Sequence, residues 1–171
     1  MSELLDVLIE IPQGTRNKYE YDFELKRIRF DRMVHTSMMY PINYGFVPQT
    51  LALDGDPLDV LVLSKDPLLS GSVIAVKPIG VLKMSDEKGA DEKLLCVPAK
   101  DPFWNNVASI KNVGEQRLNE IEHFFKAYKD LENKETIVEG WLDADEALDF
   151  YQKSVVRYNE SKHKANGDFT I

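Results

Sequence analysis

The 171-residue sequence has one cysteine, Cys96, so no intrachain disulfide can form and a secreted disulfide scaffold is excluded. It has no long apolar run: aliphatic stretches such as Val60-Leu61-Val62-Leu63 fall far short of the ~20 residues that span a bilayer. Residues 1–10 are acidic and lack the basic start and apolar segment of a secretory leader. A cytoplasmic protein that does not engage a membrane is therefore expected. Only three histidines occur, His35, His123 and His163, too scattered for a zinc-type cluster. Positive charge is scarce. The 21 Lys and Arg stand against 29 Asp and Glu, a net charge of −8, which argues against a nucleic-acid partner. At first sight it also argues against an anionic substrate. Phosphate-cradling Gly-x-x-x-x-Gly-Lys-Ser/Thr and Gly-x-Gly-x-x-Gly loops are missing, as is a Gly-x-Ser-x-Gly nucleophile turn. Nothing in the sequence thus supports a nucleotide cofactor or an acyl-enzyme.

What remains is a globular composition, 43% apolar and 29% charged, without repeats or low-complexity linkers. One domain spanning residues 1–171 is expected, able to bury roughly 70% of its unfolded surface. Val7, Ile9 and Ile11 recur with a period of two and read as a strand that Pro12 ends. Tyr19, Tyr21 and Phe23 alternate with Lys18, Glu20, Asp22 and Glu24. Ile28 and Phe30 continue the alternation, which reads as a hairpin. Residues 58–63 form a near-continuous apolar strand, the mark of burial on both faces. Residues 73–76, 93–97 and 135–141 read as further strands.

Leu118, Ile121, Phe125, Tyr128 and Leu131 fall at helical spacing, as do Leu148, Tyr151, Val155 and Tyr158. Asp143 and Glu146 resemble a capping box at the start of the second helix. The polar tail from Ser161 is expected to fray. The class is α+β: a small closed barrel with two main helices packed outside it.

The densest chemical feature is Asp54-Gly55-Asp56-Pro57-Leu58-Asp59-Val60. Asp-Gly and Asp-Pro are turn formers, and most such clusters are only polar turns. Here, however, three acids border an apolar strand. In an extended stretch Asp54 and Asp56 share a face. Two charges ~4 Å apart repel by about 4 kcal/mol at an effective dielectric of ~20. Such a group must splay into water, share a proton or hold a cation. A calcium EF-hand fails, because its sixth and twelfth positions would be Asp59 and Lys65 rather than Gly and Glu. The second acidic run, Asp86 to Lys93, would alone be a solvated loop. Paired with the first it can complete an all-oxygen site, which suits Mg²⁺ or Mn²⁺. Lys18, Arg32, Tyr40, Tyr44, Tyr128 and Lys129 are each, taken singly, ordinary surface charges or core aromatics.

Together these motifs resemble the family I soluble inorganic pyrophosphatases of the compact prokaryotic type, almost end to end. Ile9-Glu10-Ile11-Pro12, Lys18-Tyr19-Glu20, Asp31-Arg32 and Tyr40-Pro41-Ile42-Asn43-Tyr44-Gly45 follow in family order. Residues 54–59 satisfy the signature Asp-x-Asp-Pro-x-Asp. Residues 80–93, 123–132 and 138–141 complete the match, and residues 98–114 are the least distinctive.

The resemblance implies a five-stranded barrel of the oligonucleotide-binding type with flanking strands. It implies Mg²⁺-dependent hydrolysis of pyrophosphate to two phosphates by a metal-activated water, with several ions per site and Mn²⁺ or another divalent metal possible in place of Mg²⁺. By position, Asp54, Asp59 and Asp91 resemble ligands of the activating metals, with Asp59 shared between two. Asp86, Asp91 and Glu10 resemble ligands of the metals that arrive with substrate. Asp56 resembles the group that deprotonates the attacking water. Lys18, Arg32, Tyr44, Lys93, Tyr128 and Lys129 resemble the phosphate-binding set, and Glu20 and Tyr40 supporting residues. A homohexamer is implied as well. Two other functions fit less well: a metal-dependent phosphohydrolase acting on nucleotides or polyphosphate, and a non-enzymatic barrel that stacks nucleic-acid bases on aromatic side chains.

Overall fold

The structure, a computed structural model, describes residues 3–162 and 169–171. Most of the tail expected to fray, residues 163–168, lies outside the described residues. Among the described residues nine strands and two α-helices run in the order β1 (Leu5–Ile11), β2 (Asn17–Asp22), β3 (Arg27–Met33), β4 (Asn43–Phe46), β5 (Asp59–Val62), β6 (Val73–Asp86), β7 (Gly89–Ala90), β8 (Lys93–Pro98), α1 (Glu115–Ala127), β9 (Ile137–Asp143) and α2 (Ala144–Lys162). Among the described residues no helix is long and apolar enough to cross a membrane.

Five strands close a ring. β1 pairs antiparallel with β4, β4 with β5, and β5 runs parallel to β8. β8 pairs antiparallel with β6, and β6 returns to β1. Closure leaves these strands no free edge. β7 and β9 pair with β6, and the β2–β3 hairpin forms a separate two-stranded sheet. This is the small closed five-stranded barrel with flanking strands and two outer helices that the sequence implied.

The central strands are apolar on both faces because both faces are covered. Val60, Val62, Leu94 and Cys96 pack with Val7, Ile9, Val76 and Ala147 of α2. The alternate residues Leu61, Leu63, Leu95 and Val97 pack with Ile121, Phe124 and Phe125 of α1. Truncating Leu61 or Leu95 to Ala would cost about 2–5 kcal/mol. At Gly45 a Cβ would lie 2.0 Å from the Leu8 carbonyl oxygen, so only glycine lets β1 and β4 approach. Burial pushes the Cys96 thiol well above its usual range, which makes it an inert core residue.

The structure corrects four local readings. Residues 43–46, absent from the strands read from the sequence, form one: Asn43–Phe46 is a barrel strand. The strand begun at Val73 runs on to Asp86, with a register shift absorbing Pro78. Helix α1 ends at Ala127, and a 3₁₀ turn at Asp130–Glu132 carries Leu131 to the surface at 70% exposure, off the buried stripe. Asp143 ends β9 immediately before α2, but its carboxylate accepts from the N–H groups of Ala144 and Ile110 and from the Ser109 hydroxyl rather than from Glu146.

Candidate active site

Parallel pairing of β5 and β8 sets Asp59 directly opposite Lys93 at the barrel mouth. The Lys93 ammonium is buried and donates to Asp59 Oδ2 (2.8 Å), Asp91 Oδ1 (3.0 Å) and the Tyr44 hydroxyl (3.1 Å). Burial alone would push Lys93 down; the Asp59 and Asp91 carboxylates reverse this and hold it well above its ordinary value. Two carboxylates share one ammonium, so burial still leaves Asp91 raised.

Above this floor lies a cavity of about 530 Å³ between the mouth, the β2–β3 hairpin and the end of α1. Glu10, Lys18, Glu20, Arg32, Tyr40, Tyr44, Asp54, Asp56, Asp59, Asp86, Asp91, Tyr128 and Lys129 all line it. The fold thus gathers every residue singled out by the sequence, with Lys93 bonded to the wall from below.

The acidic turn is not extended, so Asp54 and Asp56 do not share a strand face. Gly55 takes φ +92°, and Asp54 Oδ1 accepts from the Asp56 N–H at 3.1 Å. Burial raises Asp54, and the N–H bond only partly offsets this. Among the described residues the Asp56 carboxylate has no hydrogen-bond or ion-pair partner. Burial pushes Glu10 from 4.5 to about 8; the bond its carboxylate accepts from the Tyr21 N–H opposes the rise, and Asp59 and Glu20 add to it.

The cationic side chains come from distant parts of the chain. The Lys18 ammonium lies 2.7 Å from Glu20 and 3.3 Å from Asp31. The Arg32 Nε donates to Glu132 at 3.0 Å, and its Nη1 pairs with Asp31. The Lys129 Nζ donates to Asp86 at 3.0 Å. Burial pushes the phenols of Tyr40, Tyr44 and Tyr128 up, so they stay protonated and can donate.

Among the described residues nine carboxylates and five cationic side chains line the cavity. The donor set is all oxygen, and burial has raised Glu10, Asp54 and Asp91. That chemistry fits hard divalent cations. Among the described residues no three such groups already form a cation cage. Sequence reasoning gave no role to Asp31, Glu87, Lys88, Lys134 or Phe169, which also line the cavity, nor to Glu132 behind Arg32. Asp31 and Glu132 stand inside motifs already noted, but nothing local links Glu132 to Arg32, 100 residues away. Asn43 is a further such residue. Fully buried, it accepts from the N–H groups of Gln13 and Leu68 and donates to the Val62 carbonyl and the Ser64 hydroxyl, tying together the loops around β4.

A closed barrel with a mouth of mixed charge, rich in carboxylates and backed by lysine, arginine and tyrosine, marks a class by its chemistry: proteins with an acidic site able to hold cations. Comparison with known proteins narrows it. The sequence profile described as inorganic pyrophosphatase matches residues 7–159. An inorganic pyrophosphatase of Methanosarcina mazei is 55% identical over 160 residues, covering 94% of this chain and 95% of the relative. The crystal structure of an inorganic pyrophosphatase from Thermus thermophilus superposes with a TM-score of 0.89 at 45% identity, covering 92% of each chain. A longer soluble pyrophosphatase of Trypanosoma cruzi matches at 25% identity with a TM-score of 0.82, but only 50% of that chain is covered. The chain belongs to the family I soluble inorganic pyrophosphatases, in their compact prokaryotic form. Membership makes it an inorganic diphosphatase, a hydrolase of phosphoric anhydrides.

Proposed function

We propose that the chain hydrolyses inorganic pyrophosphate to two phosphates with Mg²⁺ as cofactor, by direct attack of water. The observation that carries this reading is the single cavity in which carboxylates from β1, the 54–59 turn, β6 and the β7–β8 junction face Lys18, Arg32 and Lys129. Asp54, Asp59 and Asp91 would hold the activating ions, and Asp86, Asp91 and Glu10 those that enter with substrate. Bound there, divalent ions would neutralise substrate charge and make a water more acidic.

The protein's own groups do the rest. The unpaired carboxylate of Asp56 takes the proton of the attacking water. Lys18, Arg32 and Lys129 draw in and orient the phosphoryl oxygens and offset the charge that develops on them. Tyr44 and Tyr128 donate neutral hydrogen bonds to the same oxygens. Lys93 steadies Asp59 and Asp91 and supplies charge from beneath. Glu20 holds the Lys18 ammonium, and Tyr40 packs against Tyr44 with ring centroids 6.0 Å apart. We read residues 1–171 as one catalytic domain, working in the cytoplasm as a homohexamer. A sedimentation mass six times that of the protomer supports the assembly; a monomer mass refutes it.

One assay tests the activity: phosphate release from pyrophosphate, ATP and polyphosphate, with and without Mg²⁺ and with fluoride. Mg²⁺-dependent release from pyrophosphate, far above the other substrates, supports the proposal. Release that needs no divalent ion, or that favours ATP, overturns it.

A further inference from the structure

The Arg32 side chain is anchored in an unusual manner. An arginine paired purely for stability is commonly bidentate, both arms meeting both oxygens of one carboxylate. Here the guanidinium is divided between two carboxylates on two elements. Nε donates to Glu132 Oε1 at 3.0 Å, across 100 residues of sequence, and Nη1 pairs with the neighbouring Asp31. Among the described residues Nη2 has no protein partner, and Arg32 lines the cavity.

The Glu132 side chain is only 7% exposed, and its second oxygen, Oε2, is buried without a hydrogen-bond partner. A buried unpaired carboxylate oxygen is costly and calls for a reason. The main chain at Glu132 is held in its turn. Its N–H donates to the Lys129 carbonyl at 3.0 Å, and the turn closes at Asn133 in the left-handed region, φ 55°. The same turn begins at Lys129, whose ammonium meets Asp86.

We infer that Glu132 is a positioning residue: it fixes the edge of the Arg32 guanidinium from behind, so that the remaining arm is presented to a phosphoryl oxygen in the cavity. A bidentate pair with Glu132 would take up a second guanidinium nitrogen; with Oε2 unpaired, Nη2 is left for the cavity. The inference rests on the reading of Arg32 as a phosphate-binding side chain.

The test uses full-length Glu132→Leu, Glu132→Gln, Arg32→Ala and the Glu132→Leu/Arg32→Ala double variant. KM and kcat are measured for pyrophosphate, inorganic phosphate binding by calorimetry, and Tm by thermal unfolding. Glu132→Leu is expected to raise KM and weaken phosphate binding about tenfold or more, the worth of a charge-assisted hydrogen bond, with kcat changed much less. Glu132→Gln keeps an acceptor for Nε and retains most of the binding. In the Arg32→Ala background, Glu132→Leu adds nothing to KM.

Equal damage from Glu132→Leu with and without Arg32 overturns the inference and assigns Glu132 to the fold alone. So does a fall in kcat or Tm with KM and phosphate binding unmoved. Should Glu132→Leu fail to fold, Glu132→Asp keeps the charge but withdraws the oxygen by one carbon; an unchanged KM in that variant also overturns it. If Arg32→Ala by itself leaves KM, kcat and phosphate binding unaltered, the reading of Arg32 fails first, a result distinguishable from failure of Glu132 alone.

Discussion

Lys93→Met removes one charge from the floor of the site while nearly conserving volume. The wild-type ammonium is 2.8 Å from Asp59 and 3.0 Å from Asp91, and it is buried. Each contact has a gross Coulomb energy of about 6 kcal/mol at an effective dielectric of ~20. Desolvation offsets most of that, so the net cost comes from what is left behind, two uncompensated carboxylates. Breaking a buried pair in this way costs about 3–5 kcal/mol. For a domain of this size that lowers Tm by about 6–20 °C. Protonation of one carboxylate caps the cost, so the loss grows with pH.

The same carboxylates are the proposed ligands of divalent ions, and bound cations should replace the missing ammonium. Thermal unfolding of wild type and variant, in EDTA and in excess Mg²⁺, therefore gives a large loss in EDTA and a much smaller one in Mg²⁺. A loss below about 2 °C in EDTA would show that the pairs are not coupled to folding. The same loss in both conditions would show that Asp59 and Asp91 do not take cations, and would refute the reasoning.

Asp56→Asn should lower kcat by about 100-fold or more while leaving Mg²⁺ affinity within about threefold, measured by single-turnover phosphate release and calorimetry; full activity removes Asp56 from the proton-accepting role. Burial raises Glu10 from 4.5 to about 8, so the protonated form favours the folded state. Without divalent ions its contribution is complete below pH 4.5 and is lost as pH rises toward 8. The rise in Tm on adding Mg²⁺ should therefore grow between pH 6 and pH ~8.5; a pH-independent rise contradicts this. Asn43→Ala leaves the Gln13 and Leu68 N–H groups without their acceptor and should cost about 3 kcal/mol, or about 6–12 °C in Tm. A change within 2 °C would mean that water replaces the amide at no cost.

Local signals carried the strands with clean alternation. Val7, Ile9 and Ile11 showed β1, and the unbroken run at 60–63 announced burial on both faces. Where local chemistry and pairing disagree, local reading fails. Pro, Asn and Gly within residues 41–45 look like a turn, yet the barrel needs Gly45 in a strand for close approach to Leu8. Pro78 and Gly80 look like strand ends, yet a bulge carries β6 through them. Leu131 keeps helical spacing, but the helix has already tightened into a 3₁₀ turn.

The site was legible for a different reason. Its residues sit in compact motifs whose family order is recognisable, whereas composition alone misled. The net charge of −8 argued against an anionic ligand, but the acids cluster at one cavity, where they suit cations that an anion can follow. Glu132 had no signal of its own, because its partner Arg32 lies 100 residues away.

In the proposed function the polyanion enters this acidic cavity only with divalent cations. Calorimetric titration with a non-hydrolysable pyrophosphate analogue, in Mg²⁺ and in EDTA, tests it most directly. Tight binding is expected in Mg²⁺, weakened by Asp59→Asn, and none detectable in EDTA. Equal affinity in both conditions would contradict it and leave Lys18, Arg32 and Lys129 as a metal-independent anion site.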